Sequence, residues 1–536
     1  MPNERENILN TLTHRINSFA DGYRQNIAII GEPCIGKTSL IKNLLMSESI
    51  KKDSLAYLYL EIKMEPFEFC AQRFIKSVLS LLLKPDSTQD TVFAIENLAR
   101  KFPRTAQLCI RVLQDIEKNK AEEAFSFMMD IPSALFEETR KRCVLILDEF
   151  HNIDNFALKN PFGILAKKIM IQKDTMYLFL SSRHTLAQRL LGEKLSLLFG
   201  NFEKIFLVPF DADASRAFLK DNTRAVSLPQ AHLDFIASLA GNRPFYMRLI
   251  CDEIERAVLA RKLPGDDYNR LIEHACAETM FKKRGLINQH FAGLLSRISD
   301  EKLLSKSITV LLALSCENKK QQDIARSSRL QPRDASKILN RMIETDVITR
   351  NGVLYRFKDT LFHFWLHSVY LKKLASFSMD EEIEETEFRK DISDKLRAFV
   401  EEFEKECSLR IMELFRLFKN DVIQLNGKKH KFVSFSEVKK IEESSDKGTD
   451  ILACGESQRW LCTIRNNRVT ENDVSEIINK AKAEKRSSRI NKGIIIAFSG
   501  INENAYLMAK EAKFWTWNIG ELNVLMELYG KPHITR

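Results

Sequence analysis

No apolar run in the 536-residue sequence approaches the ~20 residues needed to cross a bilayer, which excludes a membrane-spanning helix. The ten cysteines are scattered, several within apolar stretches such as "CVLIL" at 143–147. None has the close spacing a zinc site requires, so they read as buried, reduced thiols. The N-terminal "MPNERENILN" is charged and lacks an apolar core, so no signal peptide is expected. Internal repeats and low-complexity tracts are also missing, which removes solenoids and long disordered segments from consideration. These absences describe a soluble, cytoplasmic protein with no membrane partner.

What remains is ordinary globular composition, with 29% charged and 44% hydrophobic residues. A single core does not extend over this length, and about three or four folding units are expected. The net charge of +10 is spread along the chain. It is compatible with nucleic-acid contact without demanding it.

Between Asn26 and Phe210, short apolar runs alternate with helical stretches. "NIAII" at 26–30, "SLAYLYLEI" at 54–62, "CVLIL" at 143–147, "MYLFL" at 176–180 and "KIFLVPF" at 204–210 read as strands buried on both faces of a parallel sheet. A helical insert of about residues 66–140 separates the second strand from the third. An α/β domain over 1–210 follows, with a helical lid over 211–300. Residues 301–378 read as a winged helix, with "QQDIARSS" and "QPRDASKILNRMIETDVI" as its helices and "TRNGVLYRF" as a hairpin turning at Asn351 and Gly352. The acidic run at 380–387 reads as a solvated linker or helix end within a helical linker at 379–430, and a second α/β segment fills 431–536.

"GEPCIGKT" follows a strand and opens a helix, the context that gives G-x-x-x-x-G-K-[ST] its meaning. Gly31 and Gly36 let the backbone wrap phosphate oxygens, with Glu32, Pro33, Cys34 and Ile35 between them and Ser39 just beyond. Lys37 places a cation on the β- and γ-phosphates of ATP, and the Thr38 hydroxyl is a ligand for Mg²⁺. "CVLILDEF" supplies Asp148 as a second Mg²⁺ ligand and Glu149 to orient an attacking water, which points to hydrolysis rather than binding alone. Ser181 and Ser182, after the next strand, either sense the γ-phosphate or cap the following helix. Arg183 is a candidate charge stabiliser or a plain exposed arginine.

Taken with "NERENIL", "LILDEF" and "LAGNRPFYMRLI" at 239–250, this set resembles the archaeal-type ATPases of the STAND class, signal-transducing P-loop proteins related to origin-recognition ATPases. The resemblance implies that Pro244 lies against the adenosine and that Arg243 or Arg248 acts as a sensor. Here Gly241-Asn242-Arg243-Pro244 departs from the family's G-G-x-P element by an asparagine, a residue that also tolerates left-handed backbone angles. The likeness covers the first ~375 residues best, since "YRFKDTLFHFWL" resembles the family's close of the winged helix.

In the second helix of that unit, Arg333, Ser336, Lys337, Asn340 and Arg341 share the face opposite Ala335, Ile338, Leu339 and Met342. That face suits either a DNA major groove, with Arg350 and Arg356 near phosphates, or plain solvent. The C-terminal segment resembles the PD-(D/E)xK nuclease-like fold. Asp450 matches its first acid and Glu437 an accessory helix acid, but Thr463 and Arg465 stand where E-x-K is expected, and Glu456 lies too far along the turn to substitute. A threonine hydroxyl does not replace a carboxylate, and a guanidinium cannot act as a base. The expectation is a non-cleaving module in a chain whose other partners are ATP, duplex DNA, and a protein partner or a second copy.

Overall fold

The structure, a computed structural model, describes residues 4–83, 91–195, 202–298, 301–316, 319–375, 381–444, 448–456, 458–484 and 490–534. Met1–Phe210, Arg243–Phe245 and Glu344–Asp346 form one compact unit, and the remainder forms a second.

In the first unit, α1 (Glu4–Ala20) leads to β1 (Asn26–Gly31) and α2 (Lys37–Met46), then to β2 (Leu55–Glu61). Five helices follow: α3 (Phe67–Leu82), α4 (Thr91–Ala99), α5 (Pro103–Glu117), α6 (Ala121–Met128) and α7 (Ile131–Thr139). The chain then forms β3 (Arg142–Asp148), α8 (Pro161–Ile171), β4 (Thr175–Ser181), α9 (His184–Arg189) and β5 (Phe202–Leu207). The five strands are all parallel, in the order β2-β3-β4-β1-β5. Side chains alternate between two cores, as the two-residue strand period requires. Ala28, Ile30, Leu58, Leu145 and Phe179 pack under the inserted helices and α8, while Ile27, Ile29, Val144, Ile146 and Leu178 face α1 and α2. The last strand departs from the expectation of burial on both faces. β5 stands at the sheet edge with only Leu207 buried, whereas β2 at the opposite edge is largely buried.

The second unit begins with α10 (Ala212–Asn222), α11 (Gln230–Leu239), α12 (Pro244–Leu259, whose first two residues belong to the first unit), α13 (Tyr268–Cys276) and α14 (Leu286–Leu295). After α15 (Glu301–Ser315) come α16 (Gln321–Ser327), α17 (Pro332–Glu344) and an antiparallel hairpin, β6 (Ile348–Asn351) and β7 (Leu354–Phe357). Asn351 pairs with Leu354, so the turn is Gly352–Val353, one residue beyond the expected Asn351–Gly352. Gly352 alone takes a positive φ there, 61°, which lets Asn351 remain in the ladder. α18 (Thr360–Trp365) and α19 (Lys372–Ala375) precede α20 (Glu381–Glu404) and α21 (Cys407–Arg416). The acidic run at 380–387 is therefore the opening of a 24-residue helix from Glu381 onward, where negative charge complements the N-terminal dipole; Asp380 lies outside the described residues. The stretch 379–430, expected to be helical, also holds β8 (Val422–Leu425) and most of β9 (Lys428–Lys431), a hairpin turned by Asn426-Gly427.

A mixed sheet completes the unit: β10 (Glu437–Ser444), β11 (Gly448–Cys454), β12 (Arg459–Arg465), α22 (Glu471–Glu484), β13 (Lys492–Ala497), α23 (Glu503–Glu511), β14 (Trp515–Trp517) and α24 (Ile519–Leu528). Strands β10 to β12 are antiparallel, and β13 and β14 run parallel to β12. Glu437 opens β10 and pairs with Cys454 across the ladder. It is a strand residue, which corrects its expected place on a helix; the two apolar residues of "EVKKIEES", Val438 and Ile441, are three apart and give no strand alternation, and the ladder shifts register between Lys440 and Glu442.

The hairpin β6–β7 docks on β8. Val353 donates its backbone N–H to Val422 O at 3.1 Å. Asn351 donates from Nδ2 to Gln424 O (3.1 Å) and accepts from Gln424 N at Oδ1 (2.6 Å), a two-sided clamp on one residue. A Cβ on Gly352 would fall 1.8 Å from Val422 O, so only glycine permits this approach. Around the contact, Lys320 pairs with Asp421 at 2.7 Å and Arg356 with Glu527 at 2.5 Å, while Leu354 joins the core beneath the mixed sheet. Arg356, expected near phosphates, is committed to that internal ion pair.

Candidate functional site

The carboxyl ends of the parallel strands bring the sequence motif residues together, as open α/β sheets do with ligand-binding groups. At the end of β1 the loop passes through Cys34 (φ 64°) and Gly36 (φ 95°) into α2. Glycine accommodates the second of these angles at no steric cost. Lys37 is 5% exposed, and its Nζ donates to Gly31 O (2.9 Å) and Glu32 O (3.0 Å). Burial lowers the ammonium's pKa, against the opposing pull of Glu149 and Asp148. Ile35 is buried, Pro33 and Ser39 are exposed, and the Glu32 carboxylate is ion-paired with Arg243.

Asp148 ends β3 and is nearly buried. Its Oδ2 accepts from Thr38 Oγ1 at 2.9 Å and from Tyr59 OH at 2.7 Å, and its Oδ1 accepts from the Glu149 backbone N–H at 2.9 Å. Adjacent oxygen ligands of an octahedral Mg²⁺ at ~2.1 Å lie ~3 Å apart, so Thr38 and Asp148 already have the separation that two ligands of one such ion take. Glu149 sits at φ 54°, a left-handed angle costly for a residue with a Cβ. That turn aims its carboxylate at β4, where Oε2 accepts from Ser182 N (2.9 Å) and Ser182 Oγ (2.7 Å). Burial raises the Glu149 pKa, offset in part by Lys37 and Ser182.

Sequence reasoning missed His151. It is 4% exposed, with Nδ1 2.9 Å from Ser181 Oγ and 3.3 Å from Glu149 Oε2. Burial, then the charges of Arg183 and Lys37, push its pKa down to about 3. The imidazole is therefore neutral, and its contact with Glu149 is not an ion pair. Tyr59, which fixes Asp148, was also missed; its only signal was an aromatic in a buried strand adjacent to the acid strand. Arg5, inside the "NERENIL" segment, donates from Nη2 to Ile35 O (2.9 Å) and Val208 O (2.8 Å), tying α1 to the glycine loop.

Pro244 stands close to this loop, 4.0 Å from where a Cβ on Gly36 would lie. Phe245 N donates to Cys34 O at 3.4 Å. Gly241 and Asn242 both adopt left-handed angles (φ 59° and 55°), which accounts for the asparagine. Arg248 belongs to the second unit, where it is exposed and paired with Asp252 at 2.8 Å.

Two other regions carry sequence expectations. On α17, Arg333, Lys337 and Asn340 are exposed and Ser336 and Arg341 half-buried, with Ala335, Ile338, Leu339 and Met342 facing inward. In the mixed sheet, Asp450 and Thr463 are opposite each other on β11 and β12, and both are buried. Asp450 Oδ2 lies 3.1 Å from Lys480 Nζ, and Oδ1 lies 3.7 Å from Arg465 Nη1. Glu456 is exposed on the turn beyond β11. Among the described residues, no group of three or more His, Cys, Asp or Glu side chains is placed to hold a metal, and no helix is long and apolar enough to cross a membrane.

Residues 3–160 match the family model of the AAA ATPase domain. No curated protein matches the chain. Among solved structures, the Walker-type ATPase PABY2304 of Pyrococcus abyssi is 14% identical, covering 66% of this chain and 94% of its own, at a TM-score of 0.45. The ORC2 protein of Aeropyrum pernix, in ADPNP–ADP complexes, is 14% identical over 70% of this chain and 95% of its own (TM-score 0.43). The RuvB Holliday junction branch migration motor of Thermotoga maritima is 12% identical over 68% and 95% (TM-score 0.34).

Proposed function

We propose that the protein is a Mg²⁺-dependent ATPase working as a nucleotide-state switch, with its second unit as a winged helix joined to a nuclease-like effector domain that does not cleave. The observation that carries this reading is the convergence of Lys37, Thr38, Asp148 and Glu149 at one end of the sheet, with Thr38 and Asp148 2.9 Å apart. Loop residues Gly31 to Ser39 cradle the phosphates, and Lys37 exchanges its loop carbonyls for β- and γ-phosphate oxygens. Thr38 and Asp148 hold Mg²⁺, which, when bound, neutralises charge on the β- and γ-phosphates. Glu149 leaves Ser182 to orient and polarise the attacking water, and Pro244 rests against the adenosine. A contact to the γ-phosphate that differs between two arrangements is enough to shift a population between them. Purified protein is expected to turn over ATP with Mg²⁺ and to stop when the metal is chelated. Mass measured with and without ATP reports self-association. Absence of any metal-dependent turnover would reject the reading.

A second reading, a DNA-binding ATPase that loads on or remodels duplex DNA, is favoured by the exposed basic face of α17. Turnover that rises with added duplex supports it.

The non-cleaving assignment rests on Arg465 and Lys480, two cations already beside Asp450 where a nuclease would hold a metal. No Mg²⁺- or Mn²⁺-dependent cleavage of DNA is expected. Cleavage that disappears in Asp450→Ala would instead make the chain an ATP-gated nuclease. The same substitution strips Arg465 of a counter-charge in a buried setting and is expected to lower the melting temperature, at a cost of about 3 kcal/mol.

A further inference from the structure

We propose that the β8–β9 hairpin is a phosphate-contacting ridge for duplex DNA, taking the place of a free wing. This rests on the second reading above, in which the winged helix faces DNA. In a winged helix the strand pair after the recognition helix ordinarily reaches the flanking backbone. Here that pair is not available to do so. Its tip is clamped by Asn351 on Gln424 and pinned by Gly352 against Val422. Arg356 is held by Glu527, and Arg350 folds back, donating from Nε to Gly352 O at 2.8 Å.

The element the tip is docked on carries a basic cluster of its own. Between Val422 and Ser436 the chain carries Lys428, Lys429 and Lys431 and no acid. All three lysines are exposed. The strand register places Lys429 opposite Gln424, the residue Asn351 clamps, and Lys431 opposite Val422, the residue that receives the Val353 N–H. Cross-strand partners share a face, so Lys429 and Lys431 emerge on the face of the two residues gripped by the wing. The neighbouring acids are committed inward: Asp421 to Lys320 and Tyr529, and Glu521 to Asn426 and the cap of α24. His430 is turned onto the Trp515 ring, 4.7 Å between centroids, and is not part of the ridge. A hairpin with Lys429 and Lys431 on one face and Lys428 exposed at its turn tracks a phosphate backbone without reading its sequence.

The test uses the full chain, a fluorescent ~30-base-pair duplex and a salt series, comparing wild type with Lys428→Glu/Lys429→Glu/Lys431→Glu and with the neutral Lys→Gln triple. The glutamate variant is expected to lose at least ~10-fold in affinity and the glutamine variant less, with the slope of log K against log salt reduced by about 2 to 3. Reversal at Arg333, Lys337 and Arg341 on α17 is expected to weaken binding independently. Unchanged wild-type-like affinity in both hairpin triples, no salt-dependent duplex binding by wild type, or preference for RNA or an acidic peptide over duplex overturns the proposal. Turnover of ATP on the same samples is read separately; its loss in wild type would reject the ATPase reading and leave the DNA result standing.

Discussion

Lys37→Ala is expected to weaken ATP binding by about 10²–10⁴-fold, because two charge-assisted contacts to phosphate are lost together, each worth roughly 1.5–3 kcal/mol. The ammonium is buried beneath the loop and already placed by Gly31 O and Glu32 O, so no neighbouring cation takes over without moving the loop. Titration calorimetry with a slowly hydrolysed ATP analogue and Mg²⁺ reads the effect directly. Unchanged nucleotide affinity would remove the assignment of the loop as a phosphate cradle. The substitution shortens a side chain at the first turn of α2, where alanine is a strong helix former, so the fold is expected to survive.

Glu149→Gln separates binding from chemistry. Glutamine keeps the size of the side chain and an oxygen to accept from Ser182, and Asp148 keeps Thr38 and Tyr59. ATP affinity is therefore expected to stay within a few-fold of wild type, while hydrolysis falls by ~10²–10⁴, the contribution of a positioned general base. Single-turnover hydrolysis alongside the same calorimetry distinguishes the two quantities. Equal loss of binding in Lys37→Ala and Glu149→Gln would show that the two acids after β3 have been given each other's roles.

The parts of this site that the sequence reveals are those contiguous in the chain. A buried strand, a glycine loop and a helix start at 26–46 announce the phosphate cradle, and a second strand ending in two acids announces its partner. The groups that hold those acids come from elsewhere. Ser182 reaches Glu149 because β4 lies next to β3, and Tyr59 reaches Asp148 because β2 lies on the other side. Strand order is a tertiary property that hydrophobic periodicity does not encode. His151 was passed over for a related reason: its partner, Ser181, is thirty positions away. In the second unit, α16, α17 and the mixed α/β segment are visible as periodicity. The commitment of Arg356 to Glu527 is not, because a charged residue in a strand reads as solvent-facing until its neighbour across the fold is known.

The order β2-β3-β4-β1-β5 also governs how the chain emerges during synthesis. β1 is made first, yet both its neighbours, β4 and β5, begin at Thr175 and Phe202. β2 likewise waits for β3 across the whole helical insert. The entropy of closing such long connections grows only with the logarithm of their length, so the insert burdens the finished fold little. It burdens the nascent chain more. At ~5–20 residues per second, "NIAII" spends on the order of ten seconds translated but unpaired, with both sheet edges open to other chains. The ribosome-bound chain is therefore expected to expose an unpaired β1 until residue 175 and beyond have emerged, and slowing translation before residue 175 lengthens that exposure.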